Sequence, residues 1–184
     1  MGPGVAALQK RIDTLADEYI EKMVAADGEI DFAREIAMQF PLRVIMSILG
    51  LPHGDAPFVL RMTQQLLSAG DPDLARSDQG GTDVLPEVFE YFGKILADRR
   101  ANPQEDLASV IANAMIGDEA IGAIEAISYY LLVSTAGHET TAASLAGGLL
   151  AFIQHPQELE KVQRTPALLR GGAEEIIRWV SPIR

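Results

Sequence analysis

From Asp118 to Gln154 the chain carries no proline and is apolar for most of its length. A stretch of that kind is too long for an ordinary surface helix and predicts one helix that crosses a core. A membrane span does not fit. Thr135, His138, Glu139, Thr140, Thr141 and Ser144 interrupt the centre, so neither half supplies the roughly 20 uninterrupted apolar residues a bilayer requires. The surroundings suit a helix buried in protein: 48% of residues are hydrophobic and 22% charged, the profile of one globular domain or a large part of one. Aromatics make up only 6%, and Val and Thr do not alternate in strand-like runs, so an all-α fold is expected.

Shorter helices flank the long one. From Leu8 to Ala25, the residues Leu8, Ile12, Leu15, Tyr19, Ile20 and Met23 recur at three- and four-residue steps with charges between them, and Asp27-Gly28 closes the pattern. A second helix is predicted over 31–49, kinked or broken at Pro41. Two more fall over 56–68 and 83–100, joined by a polar connection through 70–82. Asn102-Pro103-Gln104-Glu105 reads as an N-cap, a first-turn proline and an acidic position opening a short helix through Ile111. After the long helix, His155-Pro156 is a stop, 157–162 a short helix, and the Gly171-Gly172 pair leads into a last helix over 173–180. No repeat and no internal domain boundary emerges, so residues 1–184 read as a single partial domain.

Charge narrows the function. A net charge of −11 and a pI near 4.6 argue against a nucleic-acid surface, which needs Lys and Arg gathered on one face. With no cysteine, these residues supply no disulfide, thiolate metal site or Cys nucleophile; no metal site is expected. The start, Met1-Gly2-Pro3-Gly4-Val5, has no basic segment followed by an apolar run and reads as a cut rather than a signal peptide, with the cytoplasm as the default location.

The chemistry sits in the long helix. One helical stripe runs through Tyr129, Leu132, Val133, Ala136 and Thr140. A mid-helix Thr can donate to the carbonyl four residues earlier, here that of Ala136, and Gly137 eases local distortion, so a small groove could open in this turn. Glu139 is the neighbour of Thr140, and a carboxylate beside a hydroxyl is the start of a proton relay. Spacing alone favours a plainer alternative, a water-facing Glu and a Thr bonding its own backbone. Other catalytic motifs fail. Position 142 is Ala, so His138-Glu139 lacks the second His of a zinc-protease helix, and no Gly-x-Ser-x-Gly, Walker or Gly-x-Gly-x-x-Gly sequence occurs. His53 and His155, each beside a loop, are expected in solvent.

Ala136-Gly137-His138-Glu139-Thr140-Thr141 resembles the oxygen-activation motif of the cytochromes P-450, whose long central helix runs over the haem. Glu175-Ile176-Ile177-Arg178, followed by Trp179-Val180-Ser181-Pro182, resembles that family's Glu-x-x-Arg helix and its exit. Both occur in the family's order, with His155-Pro156 and Pro166-Ala167-Leu168-Leu169 between them. Upstream, the first two helices and Leu49-Gly50-Leu51-Pro52 resemble the family's D and E helices, and 56–100 its F and G helices. The resemblance therefore implies a bacterial soluble type and an interior piece running from about the D to the K helix.

It further implies part of a haem-thiolate monooxygenase that hydroxylates a small apolar substrate. Dioxygen would be the oxidant, with electrons from NAD(P)H through a ferredoxin and reductase. Thr140 would position water and hydrogen-bond dioxygen, and Glu139 would pass protons. Ala136 and Gly137, with Thr140, would face haem b, while Leu132, Val133, Thr135 and Ala136 would line the substrate pocket. Glu175 and Arg178, one helical step apart, would be either a weak surface pair or part of a structural network completed by a further Arg. The axial cysteine would lie beyond these residues, so the chain by itself is expected to be inactive. The alternative is a haem-free helical interaction module or a decayed gene product, and the reading frame past Arg184 separates the two.

Overall fold

The chain's amphipathic stretches become helices in a computed structural model that describes residues 3–68 and 84–182. In order they are α1 (Pro3–Ala25), a π-helical turn (Ala33–Ala37), α2 (Gln39–Leu49), a 3-10 turn (His53–Asp55), α3 (Ala56–Ser68), α4 (Leu85–Ala101) and α5 (Leu107–Ala112). A two-stranded hairpin of β1 (Met115–Ile116) and β2 (Glu119–Ala120) follows, then α6 (Ala123–Ala136), α7 (Glu139–Gln154), α8 (Pro156–Arg164), a 3-10 turn (Pro166–Leu168) and α9 (Leu169–Val180). The all-α expectation holds, since the only sheet among the described residues is that hairpin. The connection expected over 70–82 lies outside the described residues.

Several sequence expectations are corrected. The single long helix over 118–154 is instead a hairpin and two helices. Met115 pairs with Ala120 and Ile116 with Glu119 around Gly117, whose φ of +64° favours glycine, and the helical run then stops at Ala136 and restarts at Glu139. The helix over 31–49 breaks before Pro41, at the step from π-turn to α2; Pro41 sits in the first turn of α2, where no intrahelical N–H bond is lost. Asn102 is not an N-cap. It ends α4, and α5 opens at Asp106, whose Oδ1 accepts from the Ser109 N–H at 2.7 Å. Gly171 and Gly172 lie within α9 rather than before it.

Contacts divide the chain into two units. The first comprises 1–12 and 42–137. Its core is packed by Leu42, Met46 and Leu49 of α2, Val59 and Met62 of α3, Val88 and Phe92 of α4, and Ala126 and Tyr130 of α6. An aromatic series runs through it, with ring centroids 4.8 Å apart for Phe58–Tyr91, 5.2 Å for Tyr91–Phe92 and 5.6 Å for Phe92–Tyr130. Below this core Arg99, itself buried, donates from Nε to Asp106 Oδ2 at 2.7 Å and from Nη2 to the Gly50 carbonyl at 2.8 Å. Gly50 has φ +69°, and a Cβ there would come within 2.1 Å of Asp106 Oδ2, so glycine is required on both counts.

The tyrosines of this unit make it sensitive to alkali. Tyr130 donates to the Ala108 carbonyl at 2.8 Å, and burial first, then the Asp106 charge, push its hydroxyl up to about 12. Tyr91 donates to Asp55 Oδ2 at 2.9 Å and is likewise raised, by burial and then by Asp55. Both groups hold their protons more tightly folded than unfolded. Their stabilisation is therefore complete below the free-tyrosine value near 10 and is lost as pH climbs towards about 12. Urea midpoints of the unaltered chain should fall across that window, and should fall less steeply in Tyr130→Phe. Equal slopes would exclude Tyr130 as a source.

The second unit comprises 13–41 and 138–184. Here α7 packs on the π-helical turn at one end and on α9 along its length. The α7–α9 approach is close because Gly147 and Gly148 face Val180 and Ile176; a Cβ on either glycine would meet those side chains at 2.6 and 2.8 Å. Small residues there set how near the two helices come.

Candidate functional site

The sequence motif falls at the interruption between α6 and α7. Serine and threonine hydroxyls that bond their own helix precede it: Ser134 donates to the Tyr130 carbonyl at 2.8 Å, and Thr135 to the Leu131 and Leu132 carbonyls at 2.9 and 3.2 Å. Such back-bonding competes with the helical ladder and favours bending. The Gly137 N–H bonds the Val133 carbonyl at 3.3 Å, and the helix ends. A side chain at 137 would strike Ile45, 2.5 Å from an added Cβ, so glycine is needed here for space.

On α6 the expected pocket residues separate. Tyr129 and Leu132 are 51% and 57% exposed, and Ala136 is exposed with them one turn on. Val133 instead packs against the core of the first unit, and Thr135 is half-buried. Three exposed residues at helical spacing, two of them large and apolar, make a smooth stripe that ends at the break.

At the start of α7, Glu139 and Thr140 are both half-buried. The Thr140 carbonyl accepts from Ser144 Oγ at 2.9 Å. Glu139 occupies the first turn, where the helix dipole favours a carboxylate. Its Oε1 is buried and has no hydrogen-bond partner among the described residues, although the side chain as a whole is 36% exposed. A buried oxygen left in that state is costly, which makes Glu139 a candidate for chemistry.

Sequence reasoning passed over His138. Its side chain is fully buried, with Nε2 2.8 Å from the Met38 carbonyl beyond the π-helical turn. Position 138 lies inside the motif, but its partner is 100 residues away, and no local pattern marks such a contact. His53 and His155 are exposed, as expected.

Glu175 and Arg178 are brought together on α9, Nε donating to Oε2 at 2.7 Å, with side chains 58% and 68% exposed. The guanidinium holds Glu175 below the usual carboxylate range, and the carboxylate raises Arg178. Nearby, α7, α8 and α9 border a hollow of about 600 Å³ lined by Phe152, His155, Ile176 and Trp179 among others. Its two carboxylates are already engaged, Glu158 with Lys161 at 2.7 Å and Glu175 with Arg178. The motif is therefore the better candidate for chemistry. Among the described residues no group of His, Asp and Glu is placed to hold a metal, and no helix is long and apolar enough to cross a membrane.

No family model matches the chain. Curated relatives do. Cytochrome P-450-terp of Pseudomonas is 29% identical across 98% of this chain and 44% of that protein. A methyl-branched lipid omega-hydroxylase of Mycobacterium tuberculosis is 30% identical across 97% of this chain and 42% of its own length. Among solved structures, CYP108D1 from Novosphingobium aromaticivorans superposes with a TM-score of 0.85 at 36% identity, over 100% of this chain and 43% of that one. The chain thus spans less than half the length of the relatives it matches.

Proposed function

The chain belongs to the cytochrome P-450 family, and from that premise we propose that residues 1–184 are part of one monooxygenase domain that hydroxylates a small apolar substrate. One observation carries this reading. In the second unit, at the start of α7, Glu139 keeps a buried oxygen with no hydrogen-bond partner among the described residues, next in sequence to Thr140; in the first unit, α6 exposes Tyr129, Leu132 and Ala136.

These residues fit the distal side of haem b. The stripe offers an apolar wall for a planar cofactor and its substrate, and the small, exposed Ala136 leaves room for close approach, whereas the space beside Gly137 is taken by Ile45. The iron's thiolate is not among them, since the sequence has no cysteine, and in this reading it comes from elsewhere in the protein. Haem, when bound, supplies the redox centre at which dioxygen is cleaved and one oxygen atom is delivered to a C–H bond. The chain's own groups manage geometry and protons. Thr140 positions water and donates from its hydroxyl towards dioxygen. Glu139 holds a proton at Oε1 and hands it on. Leu132 and Ala136, flanked by Val133 and Thr135, border the substrate. Glu175 and Arg178, paired with each other along α9, support that helix rather than taking part in chemistry.

The relatives support an apolar, lipid-like substrate, because one is named for methyl-branched lipids and others as steroid C26-monooxygenases. Electrons are assigned to a ferredoxin and its NAD(P)H-dependent reductase, and the cytoplasm is the proposed location. A ligand titration tests the substrate wall. In a haem-loaded protein that contains this chain, apolar ligands should shift the haem absorption band, and Leu132→Ala should weaken their binding by about tenfold, the usual worth of lost methylene contacts. Unchanged affinity across a panel of such ligands would remove Leu132 from the pocket.

A further inference from the structure

His138 is unexplained by the proposed reaction, and its surroundings are unusual. The ring is fully buried, and the Met38 carbonyl lies 2.8 Å from Nε2. A carbonyl can only accept, so Nε2 carries a hydrogen and the ring orientation is fixed. The other nitrogen, Nδ1, is buried without a hydrogen-bond partner and faces Glu139 Oε1 at 4.0 Å. That oxygen is itself buried and unbonded. Two orphaned polar atoms, one on a base and one on an acid, therefore lie 4.0 Å apart, a gap that a small rotation of the Glu139 side chain closes.

The charges on the segment packed against α7 are committed elsewhere. On the π-helical turn, Glu35 pairs with Lys22 at 3.0 Å and Arg34 lies 3.8 Å from Asp31.

We propose that His138 is a positioning residue for Glu139, holding its buried carboxylate oxygen in place and sharing one proton with it. This inference rests on Glu139 as the proton carrier. With Nε2–H committed to Met38, Nδ1 is the only ring atom that can exchange a proton. In one state the protonated carboxyl donates from Oε1 to the Nδ1 lone pair; in the other the imidazolium donates from Nδ1 to the carboxylate. One proton moves between the two atoms, and no electrons change hands. Before Glu139 gives the proton away, that proton can rest on His138 and return to Oε1; afterwards both atoms are empty, and the pair is reloaded from solvent through the 36% exposed Glu139 carboxylate.

Two measurements test the proposal, and they fail separately. In the 184-residue chain labelled with ¹⁵N-histidine, the Nδ1 resonance of His138 should differ from those of exposed His53 and His155 and should move in Glu139→Ala. A His138 Nδ1 signal indifferent to that substitution overturns the inference. In the haem-loaded protein containing this chain, His138→Gln retains an amide N–H for Met38 but cannot carry the proton. Its yield of product per reduced nicotinamide should fall about tenfold, less than the 10²-fold that an ångström's misplacement of a reacting group can cost. Loss of yield in Glu139→Gln with none in His138→Gln sinks the role of His138 alone. No loss in Glu139→Gln sinks the proton-carrier reading beneath it.

Discussion

Replacing Asp106 with Ala should destabilise the first unit by about 3–5 kcal/mol, the typical loss when one partner of a buried ion pair is removed. The side chains of Asp106 and Arg99 are 6% and 8% exposed, so little solvent screens the loss. Asp106 serves two structures at once. Oδ1 caps α5 through the Ser109 N–H, and Oδ2 receives Arg99 Nε, each at 2.7 Å. Without the carboxylate, Arg99 keeps its bonds to the Gly50 carbonyl and Asp98, but its Nε–H loses its acceptor and its buried charge is balanced only by the half-exposed Asp98. Asp106→Asn should fall between wild type and Ala, because Asn still caps a helix while losing the charge. Removing the exposed partner Glu90 of Lys94 should hardly shift the urea midpoint, since solvent screens that pair. An Asp106→Ala loss under about 1 kcal/mol would show that the pair is not buried as described.

The same residue shows what the sequence could not settle. Asn102 followed by Pro103 reads in sequence as the helix start, yet the cap is Asp106, four positions on. Asp106 prevails because Arg99 on α4 donates to its other oxygen, and glycine at the sequence-distant position 50 leaves that carboxylate room. Where a helix is decided by its own apolar face, as in α1, α3 and α4, the periodicity located it within a few residues. The hairpin had a local signal as well. Gly117-Asp118 is a favoured two-residue turn, but it adjoins a long apolar run that reads as helix. Gly171 and Gly172 resemble a linker in sequence, yet they lie within α9.

The candidate site was legible to a similar degree. The order Ala-Gly-His-Glu-Thr-Thr drew attention to positions 136–141, because a carboxylate and a hydroxyl stand out in an apolar run. The break at 137–138 was only half visible, as a glycine that eases distortion. The outward turn of Leu132 and the inward turn of Val133 depend on which face of α6 meets the first unit's core. His138 was illegible, since its meaning comes from a carbonyl 100 residues upstream.

The largest functional effect should come from Thr140→Ala. In the proposed reading the Thr140 hydroxyl donates towards dioxygen or holds a water between it and Glu139. The residue is half-buried in the first turn of α7, and losing a hydroxyl and a methyl group there should leave the fold intact. Positioned proton transfer contributes about 10²–10⁴-fold to a reaction rate. Without it, two electrons and two protons should leave with dioxygen as hydrogen peroxide instead of driving insertion into the substrate. Nicotinamide oxidation should therefore continue while hydroxylation falls about a hundredfold. The decisive measurement is the ratio of hydroxylated product to reduced nicotinamide consumed, with peroxide counted in parallel, in the haem-loaded protein containing this chain. That ratio should collapse in Thr140→Ala, matched by peroxide. An unchanged ratio would contradict the assignment of residues 136–141 to oxygen activation.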